Sequence, residues 1–221
     1  MVNSTRKEDN MSDKKSKHFE MLKKSAISTA NFRFNAHRRL DFHDKSSNLA
    51  LIVASSSLII TSITIELVKS KVIVADYINI GQLCIPILLL ALSIIITNCK
   101  YAVRAEKMHE CAQKLNHYSK IFSYKASEKT VNKDFTHQEY LEYKGFCEEY
   151  AQVLKGYDNH CDIDRTAQKI KDNLKKCSLT SPFKDIIAFL FNISLIGYFY
   201  IFINLVSVYW IWHVLQQLLV I

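Results

Sequence analysis

Serine, threonine, glutamine and glutamate side chains set inside long apolar runs carry most of the chemical potential of this chain. Asn48, Ser55, Ser62 and Glu66 are spaced by seven, seven and four residues, which places them on one face of a helix. Gln82, Pro86, Ser93 and Thr97 share one side of a second helix in the same way. Polar faces on both helices of a hairpin need each other, another subunit or water. Two readings are open. The hydroxyls can bond carbonyls of their own helix or a neighbour. Alternatively, faces from several subunits line a wet path bordered by Ser55, Ser62, Glu66, Gln82, Ser93 and Thr97, with Glu66 and Gln82 near its outer mouth.

Other chemistry has little to build on. The four glycines make a phosphate-cradling loop improbable, and no nucleotide-binding, serine-hydrolase, zinc-protease or deaminase signature occurs. The six cysteines, at 84, 99, 111, 147, 161 and 177, form no C-x-x-C pair and have no histidine at zinc-ligand spacing. His109 with Cys111, and His160 with Cys161, read as neighbours on a helix surface. No metal or other cofactor is expected. An intramembrane enzyme would need a nucleophile or paired acids, and the spans offer only Glu66.

The elements that carry these residues follow from how charge is distributed. Lys and Arg exceed Asp and Glu by 29 − 21 = 8, yet the charges avoid three long stretches. With only two prolines and four glycines among 221 residues, the chain reads as long helices, some of them in a membrane. Asn48 to Val68 extends roughly 32 Å as a helix, enough to span, and Ile78 to Thr97 spans back. The link between them suffices only for a hairpin turn. The last 36 residues, Ile186 to Ile221, hold no Asp, Glu, Lys or Arg. They read as one span from 186 to about 208, started by Ser181-Pro182, with a tail at the outer interface marked by Tyr209, Trp210 and Trp212. A re-entrant or second short span through His213 to Ile221 is the alternative.

Orientation comes from the basic residues. Residues 1–47 carry 11 Lys or Arg, against Lys69 and Lys71 in the hairpin link, so the N-terminus is expected in the cytoplasm together with residues 98–185. Arg33, Arg38, Arg39, Lys100 and Arg104 read as contacts to anionic lipid at that surface. Acids and bases alternate along residues 98–185, 13 against 16, so direct nucleic-acid binding is not expected.

Between the spans and the last apolar stretch the pattern is amphipathic. Tyr101, Ala105, Met108, Ala112, Leu115 and Phe122 form one stripe, and Tyr143, Phe146, Cys147, Tyr150, Val153, Leu154 and Tyr157 a second. Ile163, Ala167, Ile170 and Leu174 form a third, shorter one. An antiparallel helical hairpin is expected, its stripes facing each other or a neighbouring subunit. Tyr143, Cys147, Tyr150, Leu154 and Tyr157 would then form the packing or oligomer seam. The expected organisation is all-α: 1–17 a disordered polar N-terminus, 18–47 a basic amphipathic helix, 48–97 a two-span hairpin, 98–180 a cytoplasmic helical region, and 181–221 a third hydrophobic span with an interfacial tail.

This order of parts resembles the SLATT family, the two-transmembrane effectors associated with SMODS and SLOG domains. The resemblance covers about residues 20 to 180. It rests on Asn35-Ala36-His37-Arg38-Arg39-Leu40 before the hairpin and on Lys100-Tyr101-Ala102-Val103-Arg104-Ala105 after it. It implies an oligomeric, non-enzymatic effector of prokaryotic conflict or antiviral defence, multi-pass in the inner membrane, that forms a pore and kills or arrests the infected cell on a partner's signal. Partners so implied are a nucleotide-signalling enzyme, a SLOG sensor or a reverse transcriptase encoded nearby, besides the lipid bilayer and further copies of the chain. The rival reading is a membrane-anchored adaptor whose helices recruit a cytoplasmic partner without forming a pore.

Overall fold

The computed structural model describes residues 2–68, 76–127, 136–159, 162–175 and 182–219. They form six helices and, among the described residues, no strand: α1 (Val2–Val68), α2 (Asp76–Cys99), α3 (Tyr101–Ser127), α4 (His137–Lys155), α5 (Asp162–Lys175) and α6 (Pro182–Leu219). The all-α expectation is met. The link between α1 and α2 lies outside the described residues.

α1 is one helix of 67 residues. Neither glycine nor proline occurs before Gly81, so no local breaker ends it. It therefore takes in residues 2–17, expected from their polarity to be disordered, and runs without interruption from the basic amphipathic segment into the first apolar run. The chain divides into two compact units, residues 1–38 with 104–179 and residues 39–103 with 180–221.

In the first unit, α3 lies antiparallel to the early part of α1. Phe19 meets Phe122 at one end, and at the other the His37 Nδ1–H donates to the Ala105 carbonyl at 3.0 Å. α3 buries Ala105, Met108, Cys111, Ala112, Leu115, Ser119 and Phe122, a stripe at helical spacing. α4 completes the packing. Its start is fixed by a reciprocal cap in which Thr136 accepts from the Glu139 amide and Glu139 accepts from the Thr136 amide at 3.0 Å. Two clusters result. Phe19, Ala26 and Phe122 are flanked by Tyr118, Tyr143, Phe146 and Tyr150, and Ala30, Cys111 and Leu115 by Tyr150, Val153, Leu154 and Tyr157. α5 joins through Asn35, whose amide donates to the Asp164 carbonyl at 3.1 Å.

The second unit is built on different side chains. From Leu40 onward α1 buries Leu40, His43, Ser47, Ala50, Ala54, Ser57, Thr61 and Thr64. These positions alternate steps of three and four, the spacing of a helix-packing seam, and from Ser47 on all are small. α6 buries Tyr200, Ser207 and Val214, seven residues apart, and no described side chain of α2 is buried.

α6 takes in both the expected span 186–208 and the segment expected as its tail. Helix continues through the expected interfacial tail to Leu219, Val214 is buried, and Trp210 packs over Gly81. The Tyr200 ring lies tilted beside His43, just before the first apolar run of α1. Within α6, Tyr198–Gln216 is long and apolar enough to cross a membrane.

Candidate polar face of the membrane-spanning unit

Two sets of hydroxyls lie on opposite sides of α1. Ser57, Thr61 and Thr64 belong to the buried seam. Their helix consumes two of them, for Ser57 Oγ donates to the Ala54 carbonyl at 2.7 Å and Thr61 Oγ1 to the Ser57 carbonyl at 2.8 Å. Ser55, Ser62 and Glu66 are on the exposed side of the helix. The bonding reading thus holds for the buried set, while Ser55, Ser62 and Glu66 are left with their side chains outward. Sequence reasoning missed the buried set, although its spacing of three and four was present in Ser47, Ala50, Ala54, Ser57, Thr61 and Thr64.

The exposed set extends onto α2. Gln82 Nε2 donates to Ser62 Oγ at 3.2 Å, so the two polar faces meet at that level. Ser93 and Thr97 are about 16 and 22 Å further along α2 on the same side of the helix. Thr97 Oγ1 is turned back to the Ser93 carbonyl at 2.8 Å. Of the six candidate pore residues the structure directly joins Ser62 and Gln82. It places Ser55 and Glu66 on the same exposed stripe of α1, with Ile59 between them.

The basic residues divide as well. Arg38, Lys100 and Arg104 are exposed and Arg39 is half-buried. Arg104 reaches Asp158 at 3.3 Å. Arg33 does not belong with them: it is 1% exposed in the first unit, its guanidinium lies 3.3 Å from Met108 Sδ, and its Nε has no hydrogen-bond partner. The helical spacing of Ala26, Ala30, Arg33 and Leu40 explains the correction, since it sets Arg33 in the apolar stripe of α1 and not at a lipid surface.

The aromatic seam packs inside one subunit. Tyr143 meets Phe19 edge-on at 5.4 Å, Tyr150 Oη is 3.2 Å from Thr29 Oγ1, and Lys114 Nζ donates to Tyr157 Oη at 2.9 Å. Leu154 packs on the Ala30 cluster, and Cys147 is half-buried beside Tyr143. Burial, and then the bond to Cys147, raises the Tyr143 pKa above its ordinary value. Among the described residues no group of three His, Cys, Asp or Glu side chains is placed to hold a metal ion.

These helices, with three stretches long and apolar enough to cross a membrane, can be set beside known proteins. The family model described as SMODS and SLOG-associating 2TM effector domain family 5 matches residues 15–221. The chain belongs to this SLATT family. The match extends the resemblance first drawn over residues 20 to 180, so α6 lies within the SLATT region although the family's description counts two transmembrane segments. No curated protein and no solved structure matches the chain.

Proposed function

We propose that this SLATT chain is an oligomeric effector of a prokaryotic conflict or antiviral defence system that permeabilises the inner membrane when a partner signals. The observation that carries the reading is the exposed polar stripe. Folding of one subunit leaves Ser55, Ser62 and Glu66 on the outer side of α1, with Gln82 bonded to that side. Hydrocarbon is a poor neighbour for such a surface. Copies arranged about a common axis turn these stripes toward water and leave Leu and Ile for lipid. The basic residues of 1–47 and 98–185 favour a cytoplasmic N-terminus, which puts the helices that would receive the signal on the same side as a nucleotide-signalling enzyme, a SLOG sensor or a reverse transcriptase.

The test is ion or dye release from liposomes holding the purified protein, with the partner added where release requires it. Wild type releases its contents, Ser62→Leu reduces conductance by narrowing and drying the path, and Glu66→Gln weakens cation preference while crosslinked oligomers persist. Absence of release at every protein density, from inserted oligomers supplied with the partner, overturns the pore and leaves the adaptor.

A further inference from the structure

At the N-terminal end of the first span the second unit closes around one imidazole. His43 is 3% exposed, and its Nδ1 is buried with no hydrogen-bond partner. Tyr101 lies 5.6 Å away, Phe42 5.9 Å and Tyr200 6.3 Å, measured between ring centroids. These rings come from three helices: Phe42 from α1, Tyr101 from the first position of α3, and Tyr200 from α6. The junction that delivers Tyr101 is strained, because Lys100, the single residue between α2 and α3, has φ 47°, a left-handed conformation that suits glycine better than lysine. The ionisable groups around the imidazole are Arg39 one turn earlier on α1, the hydroxyls of Tyr101 and Tyr200, and the Cys99 thiol, which bonds Tyr101.

A neutral imidazole suits this place and a charged one does not. The cation would carry a buried N–H without an acceptor, stand near Arg39 and lose its water. Burial first, and Arg39 second, hold the His43 pKa below its ordinary 6.5. A purely structural ring could as well be phenylalanine, which fills the same space and never titrates. We propose that His43 is a proton-operated latch: neutral, it holds Tyr101 and Tyr200 against α1, and protonated, it releases them and parts the three helices at that end. The proton's effect on permeability rests on the pore reading, whereas the release of the rings does not. Because the latched state has the lower pKa, acid favours release from about pH 6.5 downward. The effect grows until the depressed pKa of the latched state is reached, by up to about tenfold per pH unit.

Two measurements on the full-length protein in lipid test this. The first follows the His43 imidazole and the Tyr101 and Tyr200 ring signals by NMR from pH 7.5 to 5, with assignments from His43→Phe. The second records liposome release over the same range. Wild type is expected to show ring signals that move with the His43 titration and release that rises about tenfold or more. His43→Phe is expected to keep both flat while releasing normally at pH 7.5. Ring signals unchanged through the titration, or a His43→Phe profile as steep as wild type, overturn the latch. A protein whose rings respond but which releases nothing at any pH supports the latch and overturns the pore.

Discussion

The two units solve the same packing problem with opposite materials. In the first, large aromatic rings are hidden: Phe19 and Phe122 are at most 1% exposed, and Tyr143, Phe146 and Tyr150 close over them. In the second, small and hydroxylated residues are hidden while the large aliphatic ones look outward, among them Ile52, Leu83, Phe202 and Leu205, each more than 60% exposed. A surrounding medium of water rewards the first arrangement and hydrocarbon the second. In lipid, apolar burial between helices gains little over contact with acyl chains, and close approach of small residues takes over. The inversion is the pattern that water around the first unit and hydrocarbon around the second would each favour.

The comparison can be broken most severely at Phe122. Phe122→Ala should cost the first unit about 3–5 kcal/mol, read as a lower chemical-denaturation midpoint and faster proteolysis of residues 101–159. Leu83→Ala, at a residue of similar bulk, should leave the stability of the detergent-solubilised protein almost unchanged; an equal loss from both would show that the units do not differ in kind. Gly81 gives an intermediate effect. A Cβ there would sit 2.5 Å from the Trp210 ring, so Gly81→Ala should cost about 1–3 kcal/mol by overpacking. Most of that cost should vanish in a Trp210→Ala background, which thermal melts of the four proteins would reveal as a coupling between the sites. The smallest effect is at Lys100. Lys100→Gly relieves the left-handed strain and should stabilise the second unit by about 0.5–1 kcal/mol. A melting temperature that falls instead would mean that the lysine side chain contributes more than its backbone costs.

The fold was legible where apolar residues keep a helical period. Ala105, Met108, Ala112, Leu115 and Phe122 were recognisable as a stripe that the fold buries, and Tyr143, Tyr150 and Leu154 on α4 as one that it half-buries. What covers those stripes was not legible, because α1 supplies Phe19, Ala26 and Ala30 from far away in sequence and periodicity carries no partner. Arg33 misled because charge outweighed spacing. Ser62 and Gln82 were legible as members of polar faces on the two helices, but that they bond to one another was not. Ser57, Thr61 and Thr64 were passed over, since hydroxyls in an apolar run look alike until their side of the helix is known. His43 gave no signal in the sequence at all: an isolated histidine beside a phenylalanine is unremarkable, and its enclosure depends on Tyr101 and Tyr200, which arrive from other helices.

The absence of buried described side chains on α2 has a consequence for how the chain can change over time. A helix whose described side chains are at most half-buried, along a stripe of Gln82, Ile85, Leu89, Leu92, Ile96 and Cys99, places few demands on the residues of its opposite side, so Leu, Ile and Val can replace one another there with little penalty. The seam of α1 has no such freedom, because any larger residue at Ala50, Ala54 or Thr61 pushes a neighbour away. Among relatives α2 should therefore keep its composition and lose its spelling, while α1 from Ser47 to Thr64 keeps its letters. A search profile built on that short stretch of small residues should find distant members that one built on α2 misses.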